Sequence, residues 1–240
     1  MRNTWAIAKR ELGAYFVSPI AYVSIAVFLV VMGIIFSIIM TNPGGAEASL
    51  RYVFGNVFTA FILMIITPLI TMRLLAEEQR VGTLELLLTS PVRDWEVVLG
   101  KFLASVFLYV VMLALTGYYV VILKLYGNPD WGPIATTYIG LLLLGAALLS
   151  LGVLTSAITQ NQIIAAVAGF GLILGLLMAQ FLAESAKPPL STFLTELALF
   201  QHYFDFLKGV VDTKDVVYYL SVTAAGLFLT TQVLQIRRWR

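Results

Sequence analysis

Long uncharged apolar runs alternate with short charged intervals along this chain. Six runs reach the about 20 residues that a helix needs to cross a bilayer, and they lie near residues 20–40, 52–72, 102–123, 134–158, 163–183 and 216–236. The fourth and fifth runs form one uncharged stretch, which we divide at the polar residues 159–162. The pattern predicts an all-α integral membrane protein, with six transmembrane helices in a single domain over residues 1–240.

The most densely charged interval between two apolar runs is residues 74–101. A helix near residues 74–89 would carry Leu74, Val81, Leu84, Leu87 and Leu88 on one side, and Glu78, Gln79, Gly82, Thr83 and Glu85 on its flank or opposite side. Glu77 and Arg80 interrupt the apolar side. Pro91 ends this helix, because the residue before a proline avoids the α region, and Asp94 can cap the next one. We expect an amphipathic surface helix, a turn and then a span.

Two other segments have amphipathic character. Residues 1–18 place Trp5, Ala8, Leu12, Tyr15 and Phe16 at helical spacing among charged residues, which favours an N-terminal interfacial helix over a frayed tail. Residues 184–215 contain too many charges to cross lipid, and we expect short re-entrant or interfacial helices there, before the last span.

The basic residues indicate the orientation. If both termini lie on one side, that side holds ten arginines and lysines, including those of residues 74–101, and the other side holds five. The positive-inside rule then places both termini and residues 74–101 in the cytoplasm. We expect a multi-pass protein of the cytoplasmic (inner) membrane.

Composition limits the chemistry. Hydrophobic residues make up 60% of the chain and charged residues 12%, whereas soluble domains carry about 25% charged residues. The chain has no cysteine and one histidine, His202, and its net charge is +2. We therefore expect no metal site, no disulfide and no nucleic-acid partner, and we interpret His202 as an interfacial residue rather than a proton relay.

The spans themselves offer few reactive groups. The pair Gly100-Lys101 lacks the other residues of a Walker A loop, so we expect no nucleotide site and no enzymatic activity in this chain. Ser150, Thr155 and Ser156 have no base nearby and are interpreted as hydrogen-bonding groups between helices. Gln180 could line a path or only pack. Gly171 and Gly175 predict close helix packing, either within the chain or between subunits.

Residues 73–92, followed by Gly100-Lys101-Phe102, resemble the signature region of ABC-2 type permeases, most closely the gliding-motility and nitrous-oxide-reductase-maturation branch. The run E-x-x-x-G-T-L-E-x-L-L, from Glu78 to Leu88, carries the resemblance. It implies a type V exporter-like fold, with residues 74–89 as a cytoplasmic coupling helix. It also implies docking of an ATPase subunit by Glu77, Glu78, Arg80, Gly82, Thr83, Glu85, Arg93 and Asp94; the alternative is that these residues form only a solvated face.

The resemblance also implies the assembly. A permease of this kind moves its substrate with ATP that is hydrolysed by a separate ATP-binding subunit, two copies per transporter, which holds the ATP and Mg. The second permease chain would be identical or paralogous, and an extracytoplasmic accessory protein is a further expected partner. Two other functions stay open: a membrane anchor or scaffold for the ATPase without transport, and a stand-alone secondary carrier. The substrate is not assigned.

Overall fold

All regular structure in the described part of the chain is α-helical. A computed structural model describes residues 2–41, 49–83 and 92–238. In those ranges the helices are α1 Arg2–Val17, α2 Pro19–Thr41, α3 Arg51–Phe54, α4 Val57–Thr71, α5 Arg73–Val81, α6 Asp94–Leu115, α7 Gly117–Tyr126, α8 Trp131–Ile158, α9 Gln162–Ser185, α10 Leu190–Leu197, α11 Tyr203–Leu207 and α12 Thr213–Arg238. The all-α prediction is confirmed.

Within these ranges, six helical stretches are long and apolar enough to cross a membrane. They are α2, α4 with α5, α6 with α7, α8, α9 and α12. The third stretch begins at Asp94, ahead of its apolar run, because the charged residues before Phe102 are helical as well. Many large hydrophobic side chains on these helices are exposed, which suits lipid as the surrounding solvent. A helix can cross lipid because it satisfies its own backbone hydrogen bonds.

Helix α8 lies at the centre of the bundle and packs against α4, α5, α6, α9, α11 and α12. Its glycines permit this close approach. A methyl group at Gly145 would overlap the ring of Tyr109 on α6, and one at Gly152 would overlap the side chain of Thr71 on α4. The positions of Gly145 and Gly152 on α8 therefore determine where α6 and α4 can pack closely against it.

Both chain ends lie at the same end of the bundle. Arg10 on α1 contacts Glu78 on α5, 2.7 Å apart, and Arg237 on α12 donates a hydrogen bond of 2.7 Å to the carbonyl of Ile158, the last residue of α8. We call this the α5 end. The opposite end, which carries α3, α10, α11 and residues 127–130, is the α11 end.

Helix α1 packs on the bundle through part of its predicted apolar face. Ile7, Ala8 and Tyr15 are buried, and the Tyr15 hydroxyl donates to the carbonyl of Ile70 at 2.7 Å. Trp5, which was predicted on the same face, is 66% exposed. The difference arises because α1 packs against α6, a protein contact that the periodicity of α1 alone cannot locate.

At the α11 end, His202 is buried. Its Nδ1 lies 2.6 Å from Oδ1 of Asp215, and its ring stacks on Tyr218 with centroids 4.0 Å apart. The short helices predicted in residues 184–215 are α10 and α11. The His202–Asp215 pair connects the segment between α10 and α11 to the start of α12.

Candidate functional site: the α5 end

Helix α5 continues the second span after a single intervening residue, Met72. The side chain of Met72 cannot cap α5, so the first N–H groups of the helix need other acceptors. The N–H groups of Leu75 and Ala76 both donate to Oγ of Ser156 on α8, each at 3.1 Å. The Ser156 hydroxyl donates in turn to the Met72 carbonyl at 2.9 Å. Ser156 thus caps α5 from a neighbouring helix, and its interpretation as a hydrogen-bonding group between helices is confirmed.

The buried face of α5 differs from the predicted one. Leu74, Leu75, Ala76 and Gln79 are buried, and the Gln79 amide donates to the carbonyl of Ala157 at 2.8 Å. Val81, predicted on the apolar side of the helix, is 68% exposed. The carbonyls of the last turn of α8 lack helical partners. An amide side chain such as that of Gln79 can therefore donate to one of these carbonyls. Val81 is the last residue of α5 and has no group to donate.

Gly82 ends α5 in the left-handed conformation, with φ of +78°. Helices commonly end this way on glycine, which has no Cβ to strain. A Cβ at Gly82 would meet nothing within 4 Å. Glycine at this position is therefore explained by the end of the helix. Glu85 and the leucines at 84, 87 and 88 lie outside the described residues.

Four charged side chains connect α5 to α1 and α6, and we call them the ionic cluster: Arg10, Glu11, Glu78 and Lys101. Lys101 Nζ lies 3.0 Å from Oε1 of Glu11 and 2.9 Å from Oε1 of Glu78. Arg10 Nη2 lies 2.7 Å from each of the same two oxygens. The Lys101 side chain is only 1% exposed, whereas that of Arg10 is 55% exposed.

The cluster explains the Gly100-Lys101 pair. A buried lysine is tolerated when its charge is paired, and Lys101 has a carboxylate from each of two helices. Gly100 makes that approach sterically feasible, since a Cβ there would lie 2.8 Å from the Ile7 side chain and 2.9 Å from the Thr4 carbonyl oxygen. The pair therefore holds α1 against α6.

The electrostatics of the cluster favour its charged form. Burial alone would raise the pKa of Glu11, but Lys101 and Arg10 outweigh it, so the pKa lies below its ordinary value of 4.5. The hydrogen bond to Glu11 raises the pKa of Arg10. Because the folded-state pKa of Glu11 is lowered, its stabilising contribution is present above pH 4.5 and is lost as the pH falls below that value.

The remaining predicted docking residues divide into exposed and internal ones. Glu77 and Arg80 are exposed on α5, Gly82 and Thr83 are exposed just after it, and Arg93 is exposed before α6. Asp94 is buried and is the first residue of α6. It is not the N-cap that we expected: Arg93 occupies the N-cap position, and its N–H donates to the Glu96 side chain at 3.1 Å. Glu96 thus forms the backward half of a capping box.

Sequence reasoning did not identify a wide cleft beside α5. The cleft is lined by Arg80, Arg237 and residues 158–163, the turn between α8 and α9. It encloses about 1330 Å³, counting its open side. The signal in the sequence was the group of basic residues that includes Arg237. The sequence analysis took those residues as evidence of orientation and not of a cleft.

Gly171 and Gly175 contact no other part of the described chain. A Cβ at either position would meet nothing within 4 Å, and both residues are exposed. Gly169 is the glycine of α9 that packs internally, since a Cβ there would lie 3.0 Å from Thr155 and 3.2 Å from Pro68. The outer face of α9 therefore presents Gly171 and Gly175 as a smooth, unpartnered surface.

Comparison with known proteins gives a family for this arrangement. No curated protein matches the chain. A family model described as ABC-2 family transporter protein matches residues 5–236, which covers the first five spans in full and the sixth up to residue 236. Nearly the whole chain is thus covered by one family model, and the chain belongs to the ABC-2 family of transporter proteins.

Proposed function

We propose that this chain is the permease subunit of an ABC transporter, and that it moves a substrate across the membrane with ATP hydrolysed by a separate subunit. ATP and Mg would be bound by that partner, and this chain would supply no nucleotide site of its own. The observation that carries the proposal is the construction of α5, which exposes Glu77 and Arg80 on one side while its other side is fixed to α1, α6 and α8. Membership in the ABC-2 family supports the same function.

Helix α5 can transmit force because its contacts are short and directional. Ser156 and Gln79 connect it to the central helix α8, and Glu78 connects it to α1 and α6 through the ionic cluster. Packed helices shift as discrete bodies rather than deforming continuously. A push on the exposed last turn of α5 would therefore displace α8 and α6, and the spans packed on them.

A cytoplasmic α5 end would put this helix where a soluble ATPase can reach it. The ten-to-five distribution of basic residues favours a cytoplasmic α5 end, with both termini inside a multi-pass inner-membrane protein. On that basis the ATPase would contact Glu77, Arg80, Gly82 and Thr83. The family resemblance adds Glu85 and Arg93 to this interface. It also implies Asp94, which is buried at the start of α6 and is not proposed as a direct contact. Glu78 would contribute through the ionic cluster rather than by contacting the ATPase directly, since both cations of the cluster contact it.

The working transporter would contain two permease chains and two ATPase subunits. A single six-span chain offers one coupling helix, so two ATPase copies need a second permease, identical or paralogous. The exposed Gly171 and Gly175 surface of α9 is our proposed contact between the permeases, because small residues let helices approach closely in lipid. Membership in the gliding-motility and nitrous-oxide-reductase-maturation branch rests on the signature run alone.

The test is copurification of the ATPase subunit with single variants of this chain. Glu77→Lys changes an exposed charge on α5, and Lys9→Glu changes an exposed charge on α1 as the matched control. A wrong-sign charge at an interface costs several kcal/mol, so Glu77→Lys should release the ATPase and Lys9→Glu should retain it. Equal yields for both variants would contradict docking through α5. Binding without any effect of this chain on ATP hydrolysis in liposomes would favour a scaffold.

A further inference from the structure

A cavity at the α11 end lies among α4, α8, α9 and α11, away from the proposed ATPase contact. It encloses about 570 Å³, counting its open mouth. Its deep wall includes Leu63, Leu177 and Phe200, which are all buried. Val57 and Phe181, 52% and 51% exposed, lie at its edge, so the cavity opens where surrounding lipid can enter.

Among the described residues, none of those that line this cavity carries a charge. Moving an ion into such surroundings without a partner is very unfavourable, so the site selects against charged groups. Aromatic and aliphatic side chains form most of the lining, and they suit a hydrocarbon chain. The lining thus fits an apolar, uncharged part of a molecule.

Three polar side chains nevertheless face this apolar space, and they have unused hydrogen-bonding capacity. The side-chain amide of Gln180, within the fifth span, makes no hydrogen bond to the described chain. Asn56 accepts from the N–H of Phe58 at 2.9 Å through its amide oxygen, which leaves its amide nitrogen free to donate. The hydroxyl of Tyr203, in the cavity wall, is buried without a partner among the described residues.

Unpaired polar groups in apolar surroundings are costly and tend to mark functional positions inside membrane spans. We propose that this cavity binds a neutral amphiphile from the bilayer, with an uncharged ester, amide or hydroxyl group at Gln180 and Asn56. The hydrocarbon chain of the ligand lies against Phe54 and Phe200. This binding needs neither ATP nor the ATPase, so it holds or fails independently of the proposed transport function.

Photolabelling of the full chain in lipid nanodiscs tests the proposal. The probe is a diazirine-bearing diacylglycerol, which has ester groups and one hydroxyl, and the comparison probe is a diazirine-bearing alkane without polar groups. Labelling by the diacylglycerol should saturate and should concentrate in peptides that cover residues 54–63 and 177–204. Ala60→Trp fills the cavity, and Phe61→Trp, at a neighbouring position that is 40% exposed and outside the lining, is the matched control.

We expect Ala60→Trp to abolish saturable labelling and Phe61→Trp to leave it intact. Gln180→Leu, which keeps the volume and removes the amide, should raise the half-saturating concentration about fivefold, the effect of one neutral hydrogen bond. The alkane should show weaker binding that Gln180→Leu does not change. Labelling that fails to saturate, or that is unchanged in Ala60→Trp, would overturn the site. Equal half-saturation for both probes would overturn the polar contact at Gln180.

Discussion

Replacement of Lys101 by methionine is the sharpest test of the ionic cluster. Methionine has a similar length and is apolar, so Lys101→Met removes the buried charge while it largely fills the space. The carboxylates of Glu11 and Glu78 would then share only Arg10 as a close cation. We expect α5 to loosen from α1 and α6, because Lys101, the less exposed of the two cations, contacts both carboxylates.

The expected magnitude follows from burial and from what remains. Removing one partner of a fully buried ion pair costs about 3–5 kcal/mol. Here Arg10 stays 2.7 Å from both carboxylates, and their side chains are 14% and 16% exposed, so water and Arg10 compensate in part. We expect a loss of about 2 kcal/mol in the free energy of unfolding. For a chain of this length that corresponds to a fall of about 4–8 °C in Tm.

The assay is thermal unfolding of the reconstituted protein, followed by tryptophan fluorescence, with Lys9→Met as the control. Lys9 is exposed on α1, and its replacement should cost less than about 0.5 kcal/mol. The double variant Lys101→Met/Glu11→Gln should recover part of the loss, because it removes one of the uncompensated charges. The difference between wild type and Lys101→Met should shrink below pH 4.5, where Glu11 loses its charge in the unfolded chain and then in the folded one. Equal Tm values for Lys101→Met and Lys9→Met would refute the role of the cluster.

Three further predictions concern the same end of the bundle and its orientation. Ser156→Ala leaves the buried N–H groups of Leu75 and Ala76 without their acceptor, so we expect a loss of about 2–3 kcal/mol in the free energy of unfolding. Hydrogen exchange at those two amides should become faster, and unchanged exchange would contradict capping by Ser156. Gly82→Leu places a branched residue at φ of +78° and should cost about 1–2 kcal/mol, whereas Gly82→Asn should cost less, since asparagine tolerates this conformation; similar stability of both variants would contradict the left-handed end of α5. Single cysteines at Asn128 and Asp212 should react with a membrane-impermeant reagent added outside intact cells, and one at Thr83 should not; labelling of Thr83→Cys from outside would reverse the proposed topology.

The sequence by itself determined the number and type of the long elements. Inside a bilayer no water can satisfy an exposed backbone group, so each apolar run of about 20 residues must form a helix. The hydrophobic pattern is therefore a strong signal, and the predicted break at residues 159–162 coincides with the turn at 159–161 and the first residue of α9. The signature run from Glu78 to Leu88 similarly led to the family, because that run is a local pattern.

Only the tertiary structure decided which side chains meet. Helical periodicity predicted an outward-facing Glu78, but Glu78 pairs with Lys101 on α6 and with Arg10 on α1, the latter 68 positions away. It also placed Val81 on the apolar side and Gln79 on the flank or opposite side, yet Gln79 is the buried residue of the two, because the carbonyl of Ala157 accepts a hydrogen bond from its amide. The physical reason is that periodicity identifies the residues that share a helix face. What that face contacts depends on the charges, carbonyl groups and glycines that distant segments bring to it.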